Sequence, residues 1–429
     1  MQSPEVLDNS WSFEELTPSQ TSYITHGYHR YPAKFIPQLA ARIILENTRA
    51  GDLVCDPFMG SGTTLVEAIV NDRRAYGTDI NPVAALIARA KTTPIEPTYL
   101  KKNVDAVFGD LSPLLAGDSN QARLVSDGAE ASDFDIVLPD NERIDYWFPE
   151  KQKMDLAVIL SRINTVQDLH IKDFLLCSFS NILKGCSRWL MKSVKPTIDK
   201  DKVIPGVYKS FNTQTRRMMK KNEEFFNLVS GKKIERVVDN VDARRMNVPS
   251  SSASLIVTSP PYVTSYEYAD LHQLTALWLG YTNTVSEFRS KFIGSIHKQN
   301  GDVNLHSKLG RETVERLRLV DKREANGVEK YFLEMQQCFE EMHRILKQGG
   351  RAAIVVGDTD LRKVKIQNAY VFIETMEIIG FRVHAVIKRP IPSKILPLTR
   401  DEKTGKFTST AKADRRAYPT EHIVIMEKK

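Results

Sequence analysis

A serine, two prolines and a tyrosine, Ser259 to Tyr262, follow the apolar run Leu255–Val257 and Thr258. Each proline restricts its own φ to about −65° and lacks an N–H, so the turn is stiff. Such a turn at the end of a predicted strand lies where ligands bind in open α/β sheets. The Ser259 hydroxyl and the Pro260 carbonyl are hydrogen-bond acceptors, and Tyr262 offers an aromatic face. A proline-rich turn that only closes a strand is the structural alternative.

A glycine-rich loop, Asp56 to Thr64 (DPFMGSGTT), follows another predicted strand and opens a helix. Its glycines let the backbone approach a ligand closely, and N–H groups at the helix start face that ligand. The loop lacks the lysine of a phosphate-binding loop and the third glycine of a dinucleotide fingerprint. We therefore predict an adenosine-type ligand without phosphates. The predicted cofactor-binding residues of this loop are Asp56, Phe58, Gly60, Gly62 and Thr63.

Two carboxylates follow the next two predicted strands. Asp79, in GTDINP, can accept hydrogen bonds from both ribose hydroxyls, and a helix cap before Pro82 is its second candidate role. Asp242, in VDNVDA, is placed to accept the adenine amino group. A ribose acid, an adenine acid and room for a sulfonium together predict S-adenosylmethionine as the cofactor.

The motifs DPFMGSGTT, TDINP, the Asp242–Ala243 pair and TSPPY together resemble those of DNA amino-methyltransferases. These enzymes modify the exocyclic nitrogen of cytosine or adenine. His29–Phe35 (HRYPAKF) is similar to the family segment that helps hold the methionine part of the cofactor, which implies Lys34 and Phe35 as further cofactor-binding residues. The resemblance covers roughly residues 26–91 and 234–429.

The resemblance implies catalytic roles for Ser259, Pro260, Pro261 and Tyr262. Acceptors aimed at both hydrogens of the amine favour a more tetrahedral nitrogen and free its lone pair for direct methyl transfer. Tyr262 would stack on a base flipped out of the duplex. Serine at the first motif position resembles the cytosine-N4 branch. Adenine-N6 methylation and a non-catalytic cofactor- and DNA-binding subunit are the alternatives.

The predicted elements form an α/β fold, a doubly wound, mostly parallel, seven-stranded Rossmann-like methyltransferase sheet with a largely helical insertion. We predict a polar, loosely ordered lead-in at residues 1–24, a catalytic domain at 25–93 and 232–429, and the insertion at 94–231. Helices are predicted at 32–47, 63–71, 82–91, 154–163, 173–183 and 329–346, the last before a turn at Gly349–Gly350. The strands are predicted at 52–55, 75–78, 234–238, 255–257, 352–356, 383–387 and 423–426.

Positive charge is concentrated in one part of the 429-residue chain, whose net charge is +7. Residues 184–233 hold 13 Lys and Arg against 4 Asp and Glu, which predicts a polyanionic partner, double-stranded DNA. We predict that Arg216, Arg217, Lys220 and Lys221 contact phosphates, and a solvated helix face is the alternative. Either the insertion or the segment after Tyr262 would read the target sequence.

Several other classes of protein are disfavoured by composition. No apolar run approaches the roughly 18 residues of a membrane span, and the N-terminus has no signal-peptide pattern. The four cysteines are scattered without zinc spacing, so we expect no metal and a reduced, cytoplasmic setting. A cognate restriction endonuclease is a further candidate partner.

Overall fold

The computed structural model describes residues 7–31, 35–115, 135–193, 195–263, 268–293, 304–391 and 420–429, and the backbone of three short strands between 399 and 416. The strands, in chain order, are β1 Leu53–Asp56, β2 Arg74–Thr78, β3 Arg236–Asp239, β4 Ala253–Thr258, β5 Leu346–Val356, β6 Thr359–Leu361, β7 Val364–Ile366, β8 Phe381–Pro390, β9 Thr399–Arg400, β10 Phe407–Thr408, β11 Arg415–Arg416 and β12 Thr420–Lys428.

Seven of these strands form one sheet in the order β3-β2-β1-β4-β5-β12-β8. Strands β1 to β5 pair in parallel, and β12 runs antiparallel to both of its neighbours, β5 and β8. The predicted α/β class with a mostly parallel seven-stranded sheet is therefore confirmed. The shorter strands form a three-stranded sheet, β10-β9-β11, and the hairpin β6-β7.

The helices begin with α1 Pro37–Asn47, α2 Thr63–Val70 and α3 Pro82–Thr92. In the insertion lie α4 Pro97–Leu115, α5 Glu142–Trp147, α6 Glu150–Asn164, α7 Leu169–Leu183 and α8 Val207–Val229. The remaining helices are α9 Tyr268–Trp278, α10 Val285–Ser290, α11 Lys308–Arg318, α12 Lys322–Ile345 and α13 Asn368–Ile379.

The sheet is buried on both faces, as the doubly wound prediction requires. Leu255 and Val257 of β4 pack in a core with α1 and α2, whereas Ile256 packs in a second core with α12 and α13. This alternation follows from the two-residue period of a strand, and burial on both faces explains the continuous apolar run in β4.

Two predicted boundaries are wrong for local reasons. The first helix begins at Pro37, not at Pro32, with Pro37 in the first turn, where a missing N–H costs nothing. The predicted turn at Gly349–Gly350 lies inside β5 instead. The pairing of β4 with β5 jumps from Ala253–Leu346 to Leu255–Arg351, so the register of the two strands shifts across these glycines.

Residues 7–24 pack onto the sheet, whereas the sequence predicted a loosely ordered lead-in. The Trp11 and Ile24 side chains are buried in the core that contains α1 and α2. The Asp8 amide donates to the Lys388 carbonyl at 2.8 Å, and the Arg389 guanidinium donates to the Trp11 carbonyl at 2.6 Å. The lead-in is thus attached to β8.

The helices of the insertion share one core with the catalytic part of the chain. Phe174 of α7 and Phe211 of α8 are fully buried, and they belong to the same apolar cluster as Ile87 of α3 and Trp278 of α9. All four cysteines are buried free thiols. Among the described residues, no helix is long and apolar enough to cross a membrane, and no group of His, Cys, Asp or Glu is arranged to hold a metal ion.

Candidate active site

The glycine-rich loop and the Ser-Pro-Pro-Tyr turn meet at the carboxyl edge of the sheet. Strands β1 and β4 are parallel neighbours, so both segments leave the sheet at the same end. The Thr258 hydroxyl donates to the Asp56 carboxylate at 2.6 Å, and the Thr64 hydroxyl donates to the Val257 carbonyl at 3.2 Å. These two bonds connect the predicted cofactor loop to the predicted catalytic turn.

The conformation of the loop requires glycine at two positions. Gly60 and Gly62 have φ of 48° and 76°, in the left-handed region. A Cβ on Gly62 would lie 3.0 Å from the Ala88 Cβ, so α2 and α3 approach each other closely there. A Cβ on Gly60 would lie 3.0 Å from the Tyr31 ring, which therefore covers the loop.

Asp56 and Asp79 are two carboxylates at this edge without a cationic partner among the described residues. The Phe58 amide donates to Asp56 at 3.1 Å. Burial raises the pKa of Asp56 to about 6, although its hydrogen bonds oppose the shift. Burial likewise raises the pKa of Asp79 to about 7, and the charge of Asp56 adds to that shift. Ligand groups that donate hydrogen bonds or carry positive charge would stabilise both carboxylates.

The carboxylate of Asp79 is oriented by the backbone. Its two oxygens accept from the Gly60 amide at 3.0 Å and the Asn81 amide at 2.9 Å. The second candidate role, capping the following helix, belongs to Asn81, whose side chain accepts from the Val83 amide at 3.0 Å. Asp79 therefore lies next to the glycine loop, and each of its oxygens can accept a further hydrogen bond from a ligand.

Asp242 differs from these two carboxylates because a cation holds it. Arg244 donates to both of its oxygens, the shortest distance being 2.6 Å, and lowers the pKa of Asp242 against the opposing effect of burial. The Thr78 hydroxyl donates to the Val241 carbonyl at 2.7 Å, so the loop containing Asp242 lies against the end of β2. The adenine contact of Asp242 stays a prediction.

The Ser-Pro-Pro-Tyr turn is held from outside. The Tyr331 hydroxyl donates to the Pro261 carbonyl at 2.7 Å. The Tyr262 hydroxyl lies 3.5 Å from the Glu421 carboxylate. Burial, together with the Glu421 charge, raises the pKa of Tyr262, which keeps the ring neutral. Ser259 is half-buried and Pro260 is buried.

Sequence reasoning missed Tyr331 and His272. The Asn81 amide nitrogen lies 2.7 Å from Nδ1 of His272. Because the Asn81 oxygen already caps α3, its nitrogen donates, and the proton of the neutral ring is therefore on Nε2. Burial lowers the pKa of His272 to about 3. The ring lies 4.9 Å from that of Tyr31, over the glycine loop. In the sequence, His272 is a single histidine in an apolar helix, so no motif indicates that it lies beside the glycine loop.

The remaining predicted residues are not brought together. Phe35 packs beside the core of α1 and α2, and Lys34 lies outside the described residues. Arg216 pairs with Asp105 at 2.8 Å, and Lys221 with Glu224 at 2.8 Å. Arg217 donates to the Gly27 carbonyl at 2.9 Å, while Lys220 is exposed. The contact of these four residues with DNA stays a prediction.

The residues at the sheet edge fit S-adenosylmethionine. The Thr63 hydroxyl is buried and has no hydrogen-bond partner within the described residues, so it can bond to a ligand. Asp56 and Asp79 can accept hydrogen bonds from the ammonium and hydroxyl groups of this cofactor. The same two carboxylates would repel a phosphate group. The fold and this acidic, glycine-lined edge fit an S-adenosylmethionine-dependent methyltransferase.

Comparisons with known proteins show similarity to DNA methyltransferases. The sequence model of the DNA methylase family N6_N4_Mtase matches residues 1–90. The chain is 26% identical to the Type II methyltransferase M.MvaI of Kocuria varians, over 94% of this chain and 92% of that protein. It is 23% identical to the Type II methyltransferase M.BsoBI of Geobacillus stearothermophilus, over 83% of this chain and 78% of that protein. A shorter match, 36% identical, joins 18% of this chain to 24% of the DNA adenine methyltransferase YhdJ of Escherichia coli K12.

These similarities support an N4/N6 DNA amino-methyltransferase with S-adenosylmethionine as its cofactor.

Proposed function

We propose that this chain methylates the exocyclic N4 of cytosine in double-stranded DNA. The observation that carries the proposal is the turn after β4. Serine occupies its first position, and the Tyr331 hydroxyl engages the Pro261 carbonyl. Within the described residues, the Pro260 carbonyl has no hydrogen-bond donor. The Ser259 hydroxyl and the Pro260 carbonyl are thus the acceptors that the turn offers to an amine.

The amine of cytosine is a weak nucleophile because its lone pair is delocalised into the ring. Two acceptors directed at its two hydrogens favour a tetrahedral nitrogen and localise the lone pair. The stiff turn keeps these acceptors in place, so the protein contributes mainly positioning and a preorganised polar site. Tyr262 supplies an aromatic face for the base, which must leave the duplex to reach the turn.

When bound, S-adenosylmethionine supplies an electrophilic methyl group on a sulfonium. The residues that we expect to hold it are the glycine loop, Thr63, Asp56 and Asp79. Asp79 would accept hydrogen bonds from the ribose hydroxyls, since Gly60 and Asn81 already orient its two oxygens. Asp56 would face the positive end of the cofactor, because its own partners are neutral donors.

Two other functions are alternatives. The first is methylation of adenine N6, which is also an exocyclic amine, and the match of 18% of this chain to a DNA adenine methyltransferase supports it. A subunit that binds cofactor and DNA without turnover is the other alternative. The Type II methyltransferases among the relatives support a role in restriction-modification, with a cognate endonuclease as partner.

The test is to incubate the protein with labelled S-adenosylmethionine and mixed-sequence DNA and to identify the methylated nucleoside by mass analysis. We expect N4-methylcytosine. N6-methyladenine would establish the first alternative, and DNA binding without any methylated nucleoside would establish the second.

A further inference from the structure

We infer that Arg30, Lys184 and Arg217 form one binding site for the phosphates of the DNA strand beside the cofactor loop. This inference rests on the proposed function, since it assumes a DNA substrate. It differs from the sequence prediction because only Arg217 belongs to the predicted set.

The three side chains come from three segments that contact one another. Arg217 of α8 donates to the Gly27 carbonyl at 2.9 Å, three residues before Arg30. The Arg30 amide donates to the Asn181 side chain at 3.1 Å. Asn181 lies about one helical turn before Lys184, the residue that directly follows α7. The segment from Gly27 to Arg30, which precedes the glycine loop, therefore contacts both Arg217 of α8 and the end of α7 before Lys184.

None of these three cations has an ion pair within the described residues. This separates them from their neighbours Arg216 and Lys221, which pair with Asp105 and Glu224. Burial, and next the positive charge of Arg30, lower the pKa of both Lys184 and Arg217. Three positive charges that repel one another and lack a carboxylate would be stabilised by a bound polyanion.

Local structural roles account for only part of this cluster. The Lys184 ammonium donates to the Ser193 carbonyl at 2.8 Å and lies 5.2 Å from the Trp189 ring centre, and a cation also suits a helix C-terminus. Arg217 has its bond to Gly27. The Arg30 side chain is exposed and has no partner in the described parts of the chain, so a structural role does not explain it.

The cluster lies beside the catalytic edge. Arg30 directly precedes Tyr31, the residue whose ring covers Gly60. His29, on its other side, is 2.9 Å from the Ser180 hydroxyl, which in turn is 2.8 Å from the Thr275 hydroxyl of α9. α9 follows the Ser-Pro-Pro-Tyr turn. A phosphate bound by the cluster would therefore be near a nucleotide whose base enters the site, and such contacts position DNA without reading its sequence.

The experiment measures DNA affinity against salt concentration for the parent and for the triple variant Arg30→Gln, Lys184→Gln, Arg217→Gln. The charge-matched control is Arg49→Gln, Lys347→Gln, Lys429→Gln. Its three exposed residues lie at the opposite edge, near the starts of β1 and β5 and the end of β12. Each lost phosphate contact lowers the slope of log affinity against log salt by about 0.9, so we expect a decrease of about 2.7 in the triple variant and none in the control.

The single variant Arg30→Gln controls for misfolding, because that side chain is exposed and has no hydrogen bond or ion pair in the described residues. We expect its salt slope to fall by about 0.9, with unchanged S-adenosylmethionine affinity. An unchanged slope in both the single and the triple variant would overturn the phosphate site, even if the parent methylates DNA. A parent that neither binds nor methylates DNA would overturn the proposed function, and the phosphate site with it.

Discussion

The hydroxyl of Tyr331, on α12, donates a 2.7 Å hydrogen bond to the carbonyl of Pro261, in the turn after β4. Neither proline of that turn has an N–H, so neither can donate a backbone hydrogen bond that would fix the turn. The long helix α12 therefore sets the orientation of the peptide between Pro261 and Tyr262. The Pro260 carbonyl, which has no hydrogen-bond donor among the described residues, is the acceptor that we propose for the substrate amine.

Replacing Tyr331 by phenylalanine should reduce kcat while KM for S-adenosylmethionine stays the same. The ring still fills its buried position, but the Pro261 carbonyl loses its donor and the turn loses its fixed orientation. Misplaced acceptors lower the rate by roughly ten- to a hundredfold. The matched control is Tyr99→Phe, which removes a hydroxyl bonded to Asp168 in the insertion. Steady-state kinetics on both variants check the prediction, and an equal loss of kcat in both would contradict it.

Ser259→Ala should abolish most turnover with cofactor affinity retained. The hydroxyl is one of only two acceptors proposed for the amine, and the loss of one such polar group from a preorganised site costs about a hundredfold or more in kcat. Single-turnover methylation and calorimetric titration with S-adenosylmethionine separate the two quantities. Retained turnover would remove Ser259 from the mechanism.

Cofactor affinity should decrease as the pH falls from 8 to 6. Burial raises the pKa of Asp79 to about 7, and its proposed role as acceptor of two ribose hydroxyls requires the ionised carboxylate. One pH unit below that pKa, the affinity should be about tenfold weaker. Asp79→Asn should weaken binding roughly ten- to a hundredfold at pH 8 and remove most of this pH dependence. Titrations at several pH values test both statements, and a variant with the parent's pH profile would contradict them.

In the unliganded protein, Asp79 and Asp242 should have opposite effects on how the free energy of unfolding depends on pH. Burial raises the pKa of Asp79 from 3.8 to about 7, so the folded state binds more protons and loses stability as the pH rises from about 4 to 7. Arg244 lowers the pKa of Asp242, so that carboxylate contributes stability that is lost on acidification through its pKa. In denaturant unfolding, the Asp79→Asn variant should lose less unfolding free energy between pH 5 and 7 than the parent protein does. Asp242→Asn should leave that loss in place.

Gly62→Ala should destabilise the protein more than Gly51→Ala does. Both glycines have positive φ, 76° and 82°, so both substitutions carry a backbone cost of about 1–2 kcal/mol. A Cβ at Gly51 meets nothing within 4 Å, whereas one at Gly62 lies 3.0 Å from the Ala88 Cβ. Overpacking between α2 and α3 adds roughly 1–3 kcal/mol. Equal unfolding free energies for the two variants would show that the helices separate without cost.

The sequence by itself determined the sheet and the motifs at its edge. Apolar runs such as Leu255–Val257 predict buried strands because a strand covered on both faces needs apolar residues throughout. Gly60 and Gly62 predict a loop whose backbone a ligand can approach closely, because glycine has no side chain. These signals are local in the chain, so they can be recognised before any contact is known.

Tertiary structure decided which groups complete the site. Thr258 and Asp56 are 202 positions apart, and Tyr331 and Pro261 are 70 apart, so no periodicity relates them. The charges of the basic segment, residues 184–233, likewise depend on tertiary contacts. Composition counts its cations, but packing against α4 neutralises Arg216 with Asp105, while Arg217 has no carboxylate partner within the described part of the chain. Hydrogen bonds and ion pairs depend on distances between residues remote in the chain, and only the folded arrangement of helices on the sheet sets those distances.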